Sequence, residues 1–333
     1  MKTTLIAITA ALAVVAGVMY FTAPTKTTLG VPTPVYDSWV HWKQMNGKAY
    51  GTNSEEDYRL HVYAANFAEV MRLSNEQSSA TFELNKFSDL PSEEFASIYT
   101  GYNKQSNLQQ NRVVMLDESN LKTEVNWVTA GAVAAVKDQG HCGSCWAFSA
   151  VAAIESANYL QKKQSSVQTL SEQQLVDCAG GSYHNNGCHG GLMDYAFRYV
   201  ETHSLQSEDS YPYRAADGSC RSGRGSGTVT GYNDVRSGSA SQLRAALNNQ
   251  PVSVAIQADQ SVFQFYKSGV LTSAACGTQL DHGVISVGYG NESGEDYFLV
   301  RNSWGAGWGD HGYIKLGANN ICGILTQPSY PKA

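Results

Sequence analysis

The chain has few charged side chains. Only 16% of its 333 residues are Asp, Glu, Lys or Arg, against roughly 25% in typical soluble domains. Together with a hydrophobic share of 42%, this scarcity excludes a long disordered chain. Residues 1–23 hold one basic side chain, Lys2, whereas residues 24–120 hold 8 basic and 12 acidic side chains and residues 121–333 hold 14 and 17. The positive surface that nucleic-acid binding requires is absent, so no nucleic-acid partner is expected.

Long hydrophobic runs are lacking except at the amino terminus. There, Lys2 precedes the apolar stretch Leu5–Phe21, and small residues and Pro24 follow it. This order is typical of a cleaved secretory signal, which we assign to residues 1–23. The alternative is an uncleaved membrane anchor, since a run of 17 residues is at the lower limit for a spanning helix. Cleavage is favoured by the alanine-rich composition, and no stable membrane insertion is expected.

Cysteine is absent before position 142. The seven cysteines lie at positions 142, 145, 178, 188, 220, 276 and 322. In a secretory compartment six of them would pair and one would be left over. A leftover thiol in a secreted protein is either an intermolecular bridge or a reactive group. Six cysteines allow 15 pairings, so their spacing alone does not select one.

Hydrophobic periodicity separates the chain into parts of different character. Residues 35–100 have a helical period, with apolar residues at three- and four-residue steps from Val35 to Met71, which predicts a small helical unit. The polar stretch Thr100–Arg112 has no such period and is predicted to be an exposed linker. Ser144–Leu160 is apolar and alanine-rich at helical spacing, which predicts a buried helix. Ser171, followed three residues later by Gln174, forms a capping-box pattern that predicts another helix over Ser171–Val176.

Strands are expected toward the carboxyl end. Glycine and serine crowd residues 218–240, which marks a boundary between two halves. Four later segments are rich in β-branched and aromatic residues and are predicted as strands: 252–258, 283–290, 296–304 and 311–317. A helical half facing a β half creates a cleft, and functional sites concentrate at such interfaces.

The segment QGHCGSCWAFS, Gln139–Ser149, points to a reactive thiol. Cys145 would open the buried helix, where the positive end of the helix dipole and free backbone N–H groups favour a thiolate. We therefore predict a lowered thiol pKa and a nucleophilic role for Cys145.

Three other interpretations of this cysteine compete. A redox pair shares the C-x-x-C spacing, but the strand of a βαβ unit does not precede it. A zinc site with His184, Cys188 and His189 would need a much shorter spacing from Cys145 than the 38 residues found. A purely structural cystine is the third. No metal is expected.

A cysteine nucleophile needs a base. Of the eight histidines, His282 lies at the start of an apolar strand, 137 residues beyond Cys145. In proteases with a C-G-[SA]-C-[WY] signature, the catalytic histidine lies about 130 to 150 residues downstream. Asn302, in RNSWGAGWG, lies 157 residues downstream. By itself, either residue is more often an ordinary polar residue at a strand edge.

Several sequence blocks occur in the order typical of one enzyme family. They are VNW (125–127), QGHCGSCWAFSA (139–150), LSEQQLVDC (170–178), GCHGGLMDYAF (187–197), YPY (211–213), LDHGV (280–284), RNSWGAGWG (301–309) and SYP (329–331). The chain resembles the preproenzymes of the papain family of cysteine proteases, especially the cathepsin L-like branch. The family's ERFNIN helix pattern is matched more loosely over 55–74, with a departure at Ser74, and Glu83 replaces the glycine of the following G-x-N-x-F-x-D pattern.

The resemblance implies an α+β, papain-like two-domain fold. A helical half at about 130–235 and a β-barrel-like half at about 236–333 would enclose the active-site cleft, after a helical inhibitory propeptide. The implied organisation is a signal peptide at 1–23, an inhibitory propeptide with ERFNIN-like helices at 24–120 and a mature peptidase at 121–333. The implied activity is that of a cysteine endopeptidase made as an inactive zymogen. It would act through a thiolate–imidazolium pair and a thioester acyl-enzyme.

Residue roles follow from the positions that match the family's motifs. Cys145 would be the nucleophile and His282 its ion-pair partner. Asn302 would orient the imidazole, and Gln139 would donate to the oxyanion. The implied substrate-binding residues are Gly190, Gly191, Leu192, Met193, Ala255, Leu280, Gly283, Trp304 and Gln327. The implied disulfides are Cys142–Cys188, Cys178–Cys220 and Cys276–Cys322.

The second subsite would bind the side chain that precedes the acyl residue of the cleaved bond. The resemblance gives it apolar walls, so a hydrophobic side chain is expected there. The implied wall residues are Leu192, Met193, Ala255, Leu280 and Gly283. Gln327 at its base departs from the small residue usual in the cathepsin L-like branch. No cofactor is expected. The expected partners are protein and peptide substrates and the chain's own propeptide, with the enzyme a monomer in a lysosome, a digestive vacuole or the extracellular space.

Overall fold

The computed structural model describes residues 27–76, 78–103, 112–221 and 223–333. The predicted signal peptide and most of the predicted linker lie outside these residues. The chain divides into two compact units, Met1–Ala68 and Glu69–Ala333. Within the described ranges, no helix is both long and apolar enough to cross a membrane.

The first unit is built on aromatic packing between helices. A short antiparallel hairpin, β1 (Thr27–Thr28) and β2 (Val31–Pro32), leads into α1 (Thr33–Met45), and α2 (Asn53–Asn75) follows. The Trp39 ring lies 5.3 Å from both the Trp42 and Tyr63 rings, centre to centre. These rings form the apolar face that the periodicity of 35–71 predicts.

In the second unit, three α-helices between residues 145 and 200 precede most of the strands. The helices are α3 (Ser92–Tyr99), α4 (Cys145–Gln161), α5 (Glu172–Cys178), α6 (Met193–Val200), α7 (Ala240–Leu247) and α8 (Ser261–Gln264). The strands are β3 (Thr81–Phe82), β4 (Val125–Asn126), β5 (Gly231–Asp234), β6 (Val252–Ile256), β7 (Tyr266–Ser268), β8 (Val270–Leu271), β9 (His282–Glu292), β10 (Glu295–Arg301), β11 (Tyr313–Gly317) and β12 (Ser329–Lys332). Four short 3-10 turns complete it: Gly181–Tyr183, Gly187–His189, Ala274–Cys276 and Ile321–Gly323.

Eight of these strands form one sheet in the order β5-β12-β6-β9-β10-β11-β8, with β4 also paired to β9. Neighbouring strands are antiparallel except β11 and β8, which run parallel. The four segments predicted as strands coincide with β6, β9, β10 and β11. Strands β4 and β5 belong to the sheet although they precede position 236.

The two predicted helices of the second unit, α4 and α5, begin in different ways and differ in burial. Helix α4 is buried along nearly its whole length, from Cys145 to Asn158, because almost every residue is small or apolar. Helix α5 begins after Ser171, whose hydroxyl accepts the Gln174 backbone N–H at 3.0 Å. The Gln174 side chain does not complete the predicted capping box; instead its Oε1 accepts the Gln206 backbone N–H at 2.8 Å.

Buried apolar residues fall into two clusters in the second unit. One cluster centres on the sheet and includes Val254, Phe298 and Trp304. The other surrounds α4 and takes in Leu192 on one side and Ile285 on the other. Strand β9 contributes Val284 to the first cluster and Ile285 to the second, so it packs against both halves. His282 is the first residue of this strand.

Candidate active site

Cys145 is the first residue of α4 and is fully buried. It is the free cysteine of the described residues, since the other six form the pairs Cys142–Cys188, Cys178–Cys220 and Cys276–Cys322. Because Cys142 bonds to Cys188, it forms no redox pair with Cys145, and Cys188 is not a free thiolate for zinc. The helix start therefore presents one unpaired sulfur.

His282 and Asn302 are brought together by the antiparallel pairing of β9 and β10. His282 begins β9, Asn302 follows the last residue of β10, and His282 Nε2 lies 2.8 Å from Asn302 Oδ1. The Ser303 backbone N–H also donates to Oδ1, at 2.8 Å, which fixes the amide. With Oδ1 as acceptor, Nε2 carries the proton, so the other ring nitrogen of a neutral imidazole is free to accept one.

The Cys145 thiol and the His282 imidazole are not hydrogen-bonded to each other in this structure. His282 Nδ1 is buried without a hydrogen-bond partner, and Cys145 Sγ accepts the Gly283 backbone N–H at 3.3 Å. Burial raises the pKa of Cys145 to about 12, against the lowering effect of that N–H. Burial lowers the pKa of His282 to about 4, although the bond to Asn302 acts in the opposite direction.

These values correct the prediction of a lowered thiol pKa. The helix start is present as predicted, but the site is closed to water, and desolvation disfavours both charged forms. The closed state therefore disfavours the thiolate–imidazolium pair that the resemblance implies.

The Gln139 side chain is fully buried and is held at both ends of its amide. Its Nε2 donates to the carbonyl oxygens of Cys142 at 3.0 Å and Tyr99 at 3.2 Å. Its Oε1 accepts the Ser303 hydroxyl at 2.7 Å. Ser303 therefore orients the predicted oxyanion donor. The sequence analysis missed this residue, although it sits directly after Asn302.

Residues Tyr99–Asn103, which we call the covering segment, close the site. The Gly101 and Tyr102 backbone N–H groups donate to the Asp281 carbonyl at 3.0 and 2.8 Å. The Gly191 N–H donates to the Gly101 carbonyl at 2.9 Å, and the Asn103 N–H donates to the Gly191 carbonyl at 3.2 Å. Tyr102 and Gly191 thus pair in parallel. The prediction of an exposed linker is wrong at Tyr102, because this residue is only 8% exposed.

The Tyr102 side chain occupies the predicted second subsite. Its ring belongs to the buried cluster that also contains the predicted wall residues Leu192, Met193, Ala255 and Leu280. Its hydroxyl donates to Gln327 Oε1. A Cβ at Gly283 would lie only 2.9 Å from Met193 Sδ, so glycine at this position allows the Met193 side chain to pack against the backbone of β9.

Trp304 shields the histidine. Its ring centre lies 4.7 Å from that of His282, at an interplanar angle of 30°. Its indole N–H donates to the Tyr99 carbonyl at 3.2 Å. Trp304 is fully buried, so the His282–Asn302 bond lies against an apolar surface rather than water.

Comparison with known proteins shows the family of the chain. Residues 121–332 match the family model for papain family cysteine proteases, and residues 39–95 match that of the cathepsin propeptide inhibitor domain. The chain belongs to the papain family of cysteine proteases. It is a cathepsin L-like, cysteine-type endopeptidase, made as a zymogen with an inhibitory propeptide.

Relatives of this papain-family chain match it over most of its length. Digestive cysteine proteinase 1 of Homarus americanus is 44% identical over 305 residues, which cover 88% of this chain and 94% of that protein. A cathepsin L-like peptidase of Aedes aegypti is 42% identical and covers 89% and 93%. The solved structure of digestive procathepsin L2 from Tenebrio molitor larval midgut superposes with a TM-score of 0.83 at 34% identity, covering 90% of this chain and 100% of that one. The predicted papain-like α+β fold is thus confirmed.

Proposed function

We propose that the mature enzyme cleaves peptide bonds with Cys145 as nucleophile and His282 as general base and acid. The observation that carries this proposal is the His282 ring, whose Nε2 is engaged by Asn302 and whose Nδ1 is left without a partner. Once the covering segment leaves, water reaches the site and both charged forms become accessible. The Cys145 proton then passes to Nδ1, and the positive end of α4 stabilises the thiolate.

The reaction proceeds through an acyl-enzyme. The thiolate attacks the peptide carbonyl carbon, and the oxyanion is held by the Cys145 backbone N–H and Gln139 Nε2. The carbon–nitrogen bond then breaks as His282 protonates the departing amine, leaving a thioester. His282 next takes a proton from water, which attacks the thioester, and the acid product departs as the thiol is restored. Asn302 maintains the tautomer and direction of the ring throughout.

The zymogen is latent because the covering segment takes the place of substrate. The Tyr99 carbonyl accepts from Gln139 Nε2, which is the donor reserved for the oxyanion. We assign residues 1–23 to a signal peptide, 24–120 to the propeptide and 121–333 to the mature peptidase, with maturation in acid by cleavage close to 117–121. The segment before that point is accessible, since Val113 is 41% and Met115 is 61% exposed.

The secretory pathway fits the three disulfides, which persist in oxidising compartments. The Homarus americanus and Tenebrio molitor relatives are named as digestive proteins. We therefore propose that this enzyme acts in a digestive or lysosomal compartment, or after secretion.

The second subsite is expected to prefer Leu or Phe over Arg by at least roughly tenfold in kcat/KM. Its walls are apolar and Gln327 is neutral, so the guanidinium would lose water without an opposite charge. Nearby Asp194 gives little help in acid, because desolvation raises its pKa to about 7, although the Ser329 hydroxyl donates to it. Fluorogenic dipeptides that differ only at this position, assayed on the acid-matured enzyme, measure the preference.

The matched variant for this test is Gln327→Glu, which adds a negative charge at almost constant volume. It should raise kcat/KM for the Arg substrate while leaving hydrolysis of the Leu substrate within a few-fold of wild type. An Arg preference in wild type, or no gain for Arg in the variant, would show that Gln327 is not at the base of this subsite.

A further inference from the structure

The propeptide shows what kind of side chain the second subsite can hold. Among the residues of the covering segment, the one paired with Gly191 is Tyr102, and its side chain enters the pocket. The ring contacts apolar walls, and the hydroxyl reaches Gln327 Oε1 at the far end. The pocket is therefore long enough for a complete tyrosine side chain, with one polar contact at its base.

The polar contact distinguishes tyrosine from other large apolar side chains. Gln327 is half-buried, and a phenylalanine in the same position would remove water from its amide oxygen without offering a donor. A leucine is shorter and would not reach the base. Tyrosine fills the same volume as phenylalanine and supplies the donor, and sites built to bind a hydroxyl discriminate against analogues that lack it.

We propose that Gln327 makes the second subsite selective for tyrosine, so that preferred substrates carry Tyr immediately before the acyl residue of the cleaved bond. This inference rests on the proposed function, in which this pocket receives that side chain. A substrate can run along the cleft in either direction relative to the covering segment. In both cases the residue that pairs with Gly191 places its side chain in the pocket, where it can reach Gln327. Burial raises the pKa of the Tyr102 phenol, so the bound hydroxyl remains a donor.

The test compares three fluorogenic dipeptides that are identical except for Tyr, Phe or Leu at the residue before the cleaved bond's acyl residue. The enzyme is matured in acid, and its active concentration is determined by titration with a reagent that alkylates Cys145. Wild type should favour Tyr over Phe about fivefold in kcat/KM, the effect of one neutral hydrogen bond. Gln327→Leu should bring the Tyr/Phe ratio to about one or below. Gln168→Leu, a change at an exposed glutamine, is the control and should keep the wild-type ratio.

A measurement on the intact zymogen tests the hydrogen bond between the propeptide's own Tyr102 and Gln327. Tyr102→Phe should increase the residual activity of uncut chain at neutral pH by about fivefold, and it should have no further effect in a Gln327→Leu background. Equal kcat/KM for Tyr and Phe in wild type, or a ratio that Gln327→Leu leaves unchanged, overturns the inference while the proposed function stands. Failure of the matured chain to cleave any of the three peptides overturns the proposed function itself.

Discussion

Replacing Cys145 with alanine is expected to abolish peptide hydrolysis, with a loss of at least about 10⁴-fold in kcat, because no other group can form the thioester. Asn302→Ala should leave an enzyme that is slower by roughly 10- to 100-fold, since it removes one hydrogen bond that orients His282. Both variants are processed in trans by a serine protease, which is inhibited before the assay, and are then measured on the same hydrophobic dipeptide substrate.

The control is Ser149→Ala. Ser149 also lies on α4 and is buried, but its hydroxyl donates to the Val284 carbonyl and not to the reacting groups. That variant should lose stability rather than turnover, and its kcat per active site should stay near that of wild type. Equal losses for Cys145→Ala and Asn302→Ala would reject the roles assigned to them.

Gly101→Ala should make the uncut zymogen active at neutral pH, by at least about tenfold over wild type. A Cβ at this position would lie 2.1 Å from the Gly143 carbonyl oxygen, which is backbone on the opposite side of the contact. The backbone at Gly101 cannot move away from Gly143 without breaking the hydrogen bonds of the covering segment to Asp281 and Gly191. Overpacking of this kind costs about 1 to 3 kcal/mol, so the uncovered state should become roughly 5 to 150 times more populated.

The matched control is another glycine of the propeptide. A Cβ at Gly51 would meet only the flexible Glu55 carboxylate, at 3.8 Å, so Gly51→Ala should leave latency unchanged. Activity is followed on a small dipeptide in short incubations, and gel electrophoresis shows that the chain remains uncut. A Gly101→Ala zymogen as silent as wild type would mean that the covering segment does not produce the latency.

Much of the fold follows from local sequence pattern. Helix α4 and strands β6, β9, β10 and β11 are predicted near their observed bounds, because small apolar residues at helical spacing and β-branched runs are strong signals. The candidates His282 and Asn302 were identified by spacing and resemblance, and the structure brings their side chains to 2.8 Å. Strand β5 falls within a stretch of glycine and serine, and its pairing with β12 near the end of the chain is a tertiary contact that local pattern does not reveal.

The closed state of the site is what sequence reasoning could not supply. Tyr102 belongs to a polar stretch without periodicity, and its burial depends on a pocket built from residues up to 225 positions away. The thiol pKa depends on water exclusion by that same segment, so the helix start alone gave the wrong direction. Ser303 was missed for a similar reason, since its bond to Gln139 spans 164 positions.

The central claim is that one unpaired thiol, Cys145, carries the chemistry and that the covering segment keeps it buried and protonated in the zymogen. The most direct measurement is the rate of iodoacetamide alkylation near pH 7, before and after acid maturation, with the labelled residue identified by peptide mapping. Because the thiolate is the reacting form and the zymogen thiol has a pKa of about 12, we expect the label on Cys145 alone, at least about 100-fold faster after maturation. Equally fast labelling of Cys145 in the uncut zymogen, or label on Cys142 with Cys145 in a disulfide, would contradict this account.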